Sequence, residues 1–155
     1  MNDTITILVA TMSGTAEMLA DDLADQLAGA GLPARVRRMD EIQASDIAPG
    51  LYLICSSTYG VGEIPANGQA LHDALKTARP DLGGVCYGVI SLGDSLYPQT
   101  FCFGGKHFDE LLSSLGAQRV GTRLEHDTRS GRYPEEAAAE WLETWLPQVS
   151  LAQPC

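Results

Sequence analysis

The sequence predicts an α/β fold in which helices cover both faces of a parallel sheet. Two observations carry this. Apolar runs of strand length alternate along the chain with segments of helical periodicity, the pattern of β-α-β units. Two of those runs, residues 51–56 and 85–92, are continuously apolar, as strands buried on both faces should be. No linker, repeat or low-complexity segment interrupts the alternation. A length of 155 residues suits one domain with a full core, taken as 1–155.

The elements follow in order. Residues 5–10 form the first strand; behind it Leu19, Ala20, Leu23, Ala24 and Leu27 recur at helical spacing, and Gly29 and Gly31 end that helix. Residues 33–39 are a candidate second strand, whose three arginines mark it as an edge. After the third strand, 51–56, residues 67–79 place Ala70, Leu71, Ala74, Leu75 and Ala78 on one helical face, with Pro80 just beyond. The fourth strand is 85–92. Phe108, Leu111, Leu112 and Leu115 mark a third helix, closed by Gly116, and 118–126 read as a continuous fifth strand. Pro134 starts the last helix with Glu135 and Glu136 in its first turn. Its inward face holds Trp141, Leu142, Trp145 and Leu146, and core packing is the expected role of both tryptophans.

Composition narrows the function. Hydrophobic residues make up 45% and charged residues 19%, as in an ordinary soluble globule. No apolar run approaches the roughly 18 residues of a membrane span, and no signal-peptide pattern opens the chain. Cys55, Cys86, Cys102 and Cys155 show no C-x-x-C pair or metal-ligand spacing. Cys55 and Cys86 lie in apolar runs, so buried thiols in a reducing cytoplasm are expected. A net charge of −10 argues against nucleic acid or anionic membrane as main partner. It suits docking to a basic protein surface, or solubility alone.

Ligands of such sheets bind at the carboxyl ends of the strands, which points to three loops. The first, T-M-S-G-T-A-E at 11–17, joins a strand to a helix start. A helix N-terminus offers N–H groups and positive dipole to an anion. Hydroxyls at Thr11, Ser13 and Thr15 add donors, and Gly14 allows close approach. Without a lysine it is no Walker loop; it suits one terminal phosphate, the competing reading being ordinary capping. The second loop, S-S-T-Y-G-V-G-E-I-P at 56–65, carries Tyr59 between glycines; the third, G-D-S-L-Y-P-Q-T-F-C at 93–102, carries Tyr97 and Phe101. One phosphate cradle and two aromatic loops on one sheet edge match flavin mononucleotide (FMN), its ring between Tyr59 and Tyr97.

At these residues the chain resembles the flavodoxins and the flavin domains of diflavin reductases. T-M-S-G-T-A-E resembles their phosphate loop, S-S-T-Y-G-V-G-E-I-P their second flavin loop and L-G-D-S-L-Y their third. I-C-S-S-T-Y-G-V-G-E-I-P-A-N, R-P-D-L, T-F-C and A-E-W-L-E-T-W-L are similar to short-chain flavodoxins of the MioC type, and a fifth strand without a long insertion agrees. The resemblance implies a flavodoxin-like three-layer sandwich, with a five-stranded parallel sheet in the order 2-1-3-4-5. It implies FMN as cofactor. It assigns Thr11, Met12, Ser13, Gly14, Thr15 and Ala16 to the phosphate, and Ser57, Thr58, Tyr59, Gly60 and Gly62 to the inner face and edge of the ring. Leu92, Gly93, Asp94, Tyr97 and Phe101 fall near the outer face, the pyrimidine edge or the ribityl side. Pro98, Gln99 and Thr100 make this loop longer than in many relatives, leaving open whether Tyr97 or Phe101 lies on the ring. No catalytic or metal-binding residue is assigned, and Cys102 is expected to be a packed thiol.

The resemblance further implies an electron carrier rather than an enzyme with its own substrate. The donor would be a basic, NADPH-dependent flavodoxin or ferredoxin-NADP reductase. The acceptor would be a metal or radical enzyme, biotin synthase being one candidate. Glu63, Asp94, Glu125 and Asp127 are expected near the site, where their charge would lower the potential of the second electron. The Gly60 carbonyl is a candidate acceptor for a proton on the flavin. The alternative is a flavin-dependent NAD(P)H-quinone reductase-like enzyme. A signalling receiver of the same fold is rejected, because Ser56-Ser57 and Thr11-Met12 stand where its acidic residues must be. His72, His107 and His126 are scattered, and no hydrolase constellation stands out.

Overall fold

The computed structural model describes residues 4–11, 14–58, 62–97 and 99–152, the side chains of 150–152 excepted. The sheet runs through β2 (Ala34–Arg38), β1 (Ile5–Ala10), β3 (Gly50–Ser56), β4 (Val85–Gly93) and, beyond β4, two short segments, β5 (Gln118–Arg119) and β6 (Leu124–Asp127). All described pairings are parallel. The expected order 2-1-3-4-5 is therefore present, with β5 and β6 sharing the fifth place. Helices α1 (Thr15–Gly29) and α4 (Pro134–Ala152) pack on one face; α2 (Ala66–Ala78) and α3 (Phe103–Ser114) pack on the other.

Strand alternation builds two cores. Ile5, Ile7 and Val9 point to the α1/α4 side and join Leu19, Leu23, Leu27 and Trp145. Leu8 and Ala10 point the other way and join Leu71, Leu75, Phe108 and Leu112. Every residue of β4 is buried, which places it mid-sheet. β2 pairs with β1 alone among the described strands, so its arginines do sit at an edge.

Two expectations need correction. The inward face of α2 is Gly68, Leu71 and Leu75, while Ala70, Ala74 and Ala78 are exposed. The β2–β3 connection explains this, because it contains only two 3₁₀ turns, Met39–Glu41 and Ala44–Asp46. These leave the alanine flank of α2 lining an open groove of about 570 Å³. The fifth strand is also not continuous. Val120 still donates its N–H to the Tyr87 carbonyl (2.8 Å), but Gly121 turns the chain at φ +71° and pairing resumes only at Leu124.

The gap is held from both sides. On the α1/α4 side the Trp145 and Trp141 indoles stack with centroids 5.3 Å apart. They donate to the carbonyls of Val120 (3.0 Å) and Thr122 (2.9 Å), satisfying backbone acceptors that the interrupted ladder leaves over. On the α2/α3 side the buried Asp109 carboxylate of α3 accepts from Arg119 Nη1 (2.5 Å), Arg123 Nη1 (2.6 Å) and Tyr87 Oη (2.7 Å). Gly88 of β4 makes room for the tryptophans: a Cβ there would lie 2.6 Å from Trp145 Nε1. Gly88→Ala is expected to cost about 1–3 kcal/mol of unfolding free energy by overpacking, measured by urea denaturation. A variant as stable as the parent would show that the indoles can shift freely.

Cys55 and Cys102 are free and buried. Burial pushes both thiols up to about 12, so they stay protonated and unreactive. Cys86 is buried too, in the core cluster that includes Val149.

Candidate cofactor site

Register brings the three loops together. Ala10 pairs with Ser56, Ser56 with Ser91, and Ser91 with Glu125, so β1, β3 and β4 reach their carboxyl ends at one level. The loops leave side by side from that edge.

In the first loop, Thr11 donates its backbone N–H to Asn67 Oδ1 at the start of α2 (2.8 Å). Thr11 Oγ1 in turn accepts from the Gly14 amide (3.1 Å). Gly14 is left-handed (φ +88°), a conformation that favours glycine, and a Cβ there would meet nothing within 4 Å. Among the described residues no side chain caps α1. An open left-handed glycine at the N-terminus of α1 is what a bound phosphate needs, so this end of the site fits FMN. Thr15 is exposed and Ala16 buried; Met12 and Ser13 lie outside the described residues.

The second loop is tied to α3 at both ends. Thr58 Oγ1 accepts from the Gly104 amide (3.0 Å), and the Gly62 carbonyl lies 2.9 Å from His107 Nε2. Ser57 continues the ladder by donating to the Ala10 carbonyl (2.9 Å). Gly62 has φ +95°, and a Cβ on it would come 2.9 Å from that of Thr100 in the third loop. Backbone approach is closest at Gly104, where a Cβ would overlap the Ser57 carbonyl. Tyr59 and Gly60 lie outside the described residues.

The third loop is braced by the chain after β6. Thr128 donates twice to the Gly93 carbonyl, from N (2.8 Å) and Oγ1 (3.0 Å). Asp127 Oδ1 accepts from the Ser95 and Arg129 amides (3.1 and 2.9 Å). Arg129 pairs with Asp94, and this guanidinium together with the Leu96 amide holds the Asp94 carboxyl below the usual carboxylate range. Tyr97 is 51% exposed, whereas Phe101 is half-buried and packs back on Gly93, where a Cβ would sit 3.0 Å from its ring. Leu92 is 3% exposed and its side chain belongs to the α1/α4 core, so only its backbone reaches the edge.

Of the four acids expected to bear on the site, Asp94 and Glu125 have arginine partners, Arg129 and Arg123. Their charge is therefore largely balanced locally. Asn67, Gly104, His107 and Arg129 were not singled out by sequence reading. Asn67 sits at a helix start, a weak signal; the others act through partners 35 to 46 positions away.

A flavodoxin family model matches residues 7–141. The chain belongs to the flavodoxin family. Flavodoxins are electron-transfer proteins that use FMN, and FMN is the cofactor of this one. It is 33% identical over 145 residues to the MioC protein of Escherichia coli K12, covering 92% of this chain and 95% of that one. It is 40% identical over 139 residues to the sulfite reductase [NADPH] flavoprotein alpha-component of Vibrio cholerae, 88% of this chain but only 22% of that protein. The chain thus spans about a fifth of those longer relatives. Among solved structures, a cysteine-to-alanine mutant of a Pseudomonas aeruginosa flavodoxin superposes with a TM-score of 0.83 at 35% identity, covering 95% of this chain and 99% of that one. No described helix of this flavodoxin is long and apolar enough to cross a membrane.

The α3 tether makes a test. His107→Ala is expected to weaken FMN binding about 2–10-fold, the worth of one hydrogen bond, and to change the gap between the two one-electron potentials. Flavin titration and anaerobic potentiometry would read both. Unchanged affinity and potentials would mean that the second loop holds its shape without α3.

Proposed function

We propose that this chain is one FMN-binding domain that carries single electrons between a reductase and an acceptor enzyme. The observation that supports it most is the convergence of the α1 N-terminus with its left-handed Gly14, the α3-tethered second loop and the exposed Tyr97 on one edge. When bound, FMN supplies the redox chemistry. The protein's own work is positional. Gly14, Thr15, Ala16 and Thr11, with Met12 and Ser13, would hold the phosphate through backbone amides and hydroxyls. Ser57, Thr58 and Gly62, with Tyr59 and Gly60, would form the inner wall, kept in place by Gly104 and His107. The backbone of Leu92, Gly93 and Asp94 would border the pyrimidine edge. Tyr97 would cover the outer face and shield it from water, with Phe101 behind it as a spacer.

The donor in this reading is a basic NADPH-dependent flavodoxin or ferredoxin-NADP reductase, and the acceptor a metal or radical enzyme in the cytoplasm, biotin synthase among the candidates. The likeness to a flavoprotein whose name carries NADPH favours a reductase-linked role. The net charge of −10 favours a basic docking face. Transfer from such a reductase should slow severalfold between low and about 0.3 M salt, as screening shortens the range of steering. A rate indifferent to salt would leave the charge as a solubility feature.

The reading itself is tested by adding FMN to the purified protein and supplying NADPH with and without the reductase, under anaerobic conditions. Stoichiometric binding and reduction only with the reductase are expected. Rapid NADPH oxidation by the protein alone, with quinone as acceptor, would move the assignment to a quinone reductase-like enzyme. No FMN binding would defeat it.

A further inference from the structure

The helix-free β2–β3 connection leaves a second cavity, of about 230 Å³, under its two turns. Arg35 and Arg37 of β2 line it together with Thr6 of β1 and Tyr52 of β3. Register explains the grouping. Arg35, Thr6 and Tyr52 are cross-strand neighbours in one row, and Arg37 stands beside Leu8 in a row on the same face. Arg35 Nε is 3.4 Å from Thr6 Oγ1. Among the described residues neither arginine belongs to an ion pair, although Arg38, Arg119, Arg123, Arg129 and Arg132 all do. Two guanidiniums outside any described ion pair, against the single carboxylate of Asp46 in the same recess, are unusual in a chain with twice as many acidic as basic residues. Arginine on an edge strand discourages edge pairing, but that role does not require a cavity between the sheet face and the connection.

We propose that this cavity binds a small organic phosphate. Guanidinium forks match the geometry of phosphate oxygens, with the Thr6 hydroxyl as a further donor. Leu8, Ile42 and Ile47 offer an apolar wall for the body of the ligand. Asp46 also lines the cavity, but its Oδ2 accepts from the Gln43 amide (2.8 Å), which holds it to its own turn. Tyr52 Oη is directed to the Ala48 carbonyl (2.7 Å), leaving the ring as lining. Thr6 lies four residues before the end of β1, roughly 13 Å at about 3.3 Å per residue. The site faces the β2–β3 connection, and no residue of the three flavin loops is among those lining it, so both can be filled together.

The test uses FMN-saturated protein, so that the flavin phosphate loop is already occupied, and is repeated without FMN. Phenyl phosphate is titrated while backbone amide NMR shifts are followed; inorganic phosphate and benzoate are the comparison probes. Saturable shifts centred on Thr6, Arg35, Arg37 and Tyr52 are expected in both forms, with phenyl phosphate at least about fivefold tighter than either comparison probe. Arg35→Gln and Arg37→Gln should each weaken it about tenfold, as loss of a charge-assisted pair implies, without altering the flavin spectrum. Shifts that do not saturate, shifts confined to residues 11–17, or variants that bind like the parent would overturn the proposal. Equal binding of benzoate would also overturn it, since the site would then read any anion. The FMN-free titration reads the cavity whether or not FMN binds, so a failure there is separate from a failure of the electron-carrier reading.

Discussion

Truncating Asp109 to alanine should lower the stability of this flavodoxin by about 2–4 kcal/mol, below the upper range for a fully buried pair because Arg119 is 39% exposed. The carboxylate is 7% exposed and serves three donors at once. Its loss leaves the Tyr87 hydroxyl, which burial and Asp109 keep firmly protonated, without its carboxylate acceptor. It also leaves Arg123 half-buried with only Glu125 to balance it. Arg119 belongs to β5 and Arg123 precedes β6, so both halves of the split strand lose their tie to α3. Asp109→Asn keeps an acceptor for Tyr87 but removes the charge, and should fall between the two. Urea denaturation of the three proteins decides the matter. Losses under about 0.5 kcal/mol in both variants would show that the strand is held by its ladder and the tryptophans alone.

Tyr97→Ala is expected to weaken FMN binding about 10–100-fold, from lost ring stacking and lost apolar burial together. Tyr97 is the exposed aromatic of the third loop, whereas Phe101 is turned back on Gly93. Tyr97→Phe should retain most of the affinity, because the face and not the hydroxyl does the covering. Phe101→Ala should matter less to binding than Tyr97→Ala. The reverse order, with Phe101 dominant, would mean that the lengthened loop turns over when the flavin enters. Flavin fluorescence quenching during titration measures all three.

The parts legible in sequence are those written in local pattern. β1, β3 and β4 are apolar runs because both faces of a central parallel strand are buried, and the edge character of β2 shows in its arginines. That three loops leave one sheet edge together was legible because glycine, hydroxyl and aromatic residues follow three of the apolar runs. What escaped depends on partners far along the chain. The break at Val120 to Arg123 is stabilised by indoles about 20 positions later and a carboxylate 10 to 14 positions earlier, and no local signal marks it. The alanines of α2 looked inward because alanine is read as apolar, yet only the two short 3₁₀ turns share their groove, and they leave it open. His107 looked like a stray histidine until the fold set it against Gly62. The tempering of the acidic edge by Arg123 and Arg129 is likewise a matter of tertiary neighbours.

The split fifth strand has an evolutionary consequence. A segment whose ladder is already interrupted, with its carbonyls handed to the side chains of a neighbouring helix, is a natural seam. Chain could be added between Val120 and Leu124 without breaking any further strand pairing, and the entropic penalty of a longer loop grows only slowly with length. Asp109 below and the two indoles above would still anchor the halves. Lineages that graft new recognition surfaces onto this scaffold would find here a place to enlarge it while the cofactor edge stays undisturbed.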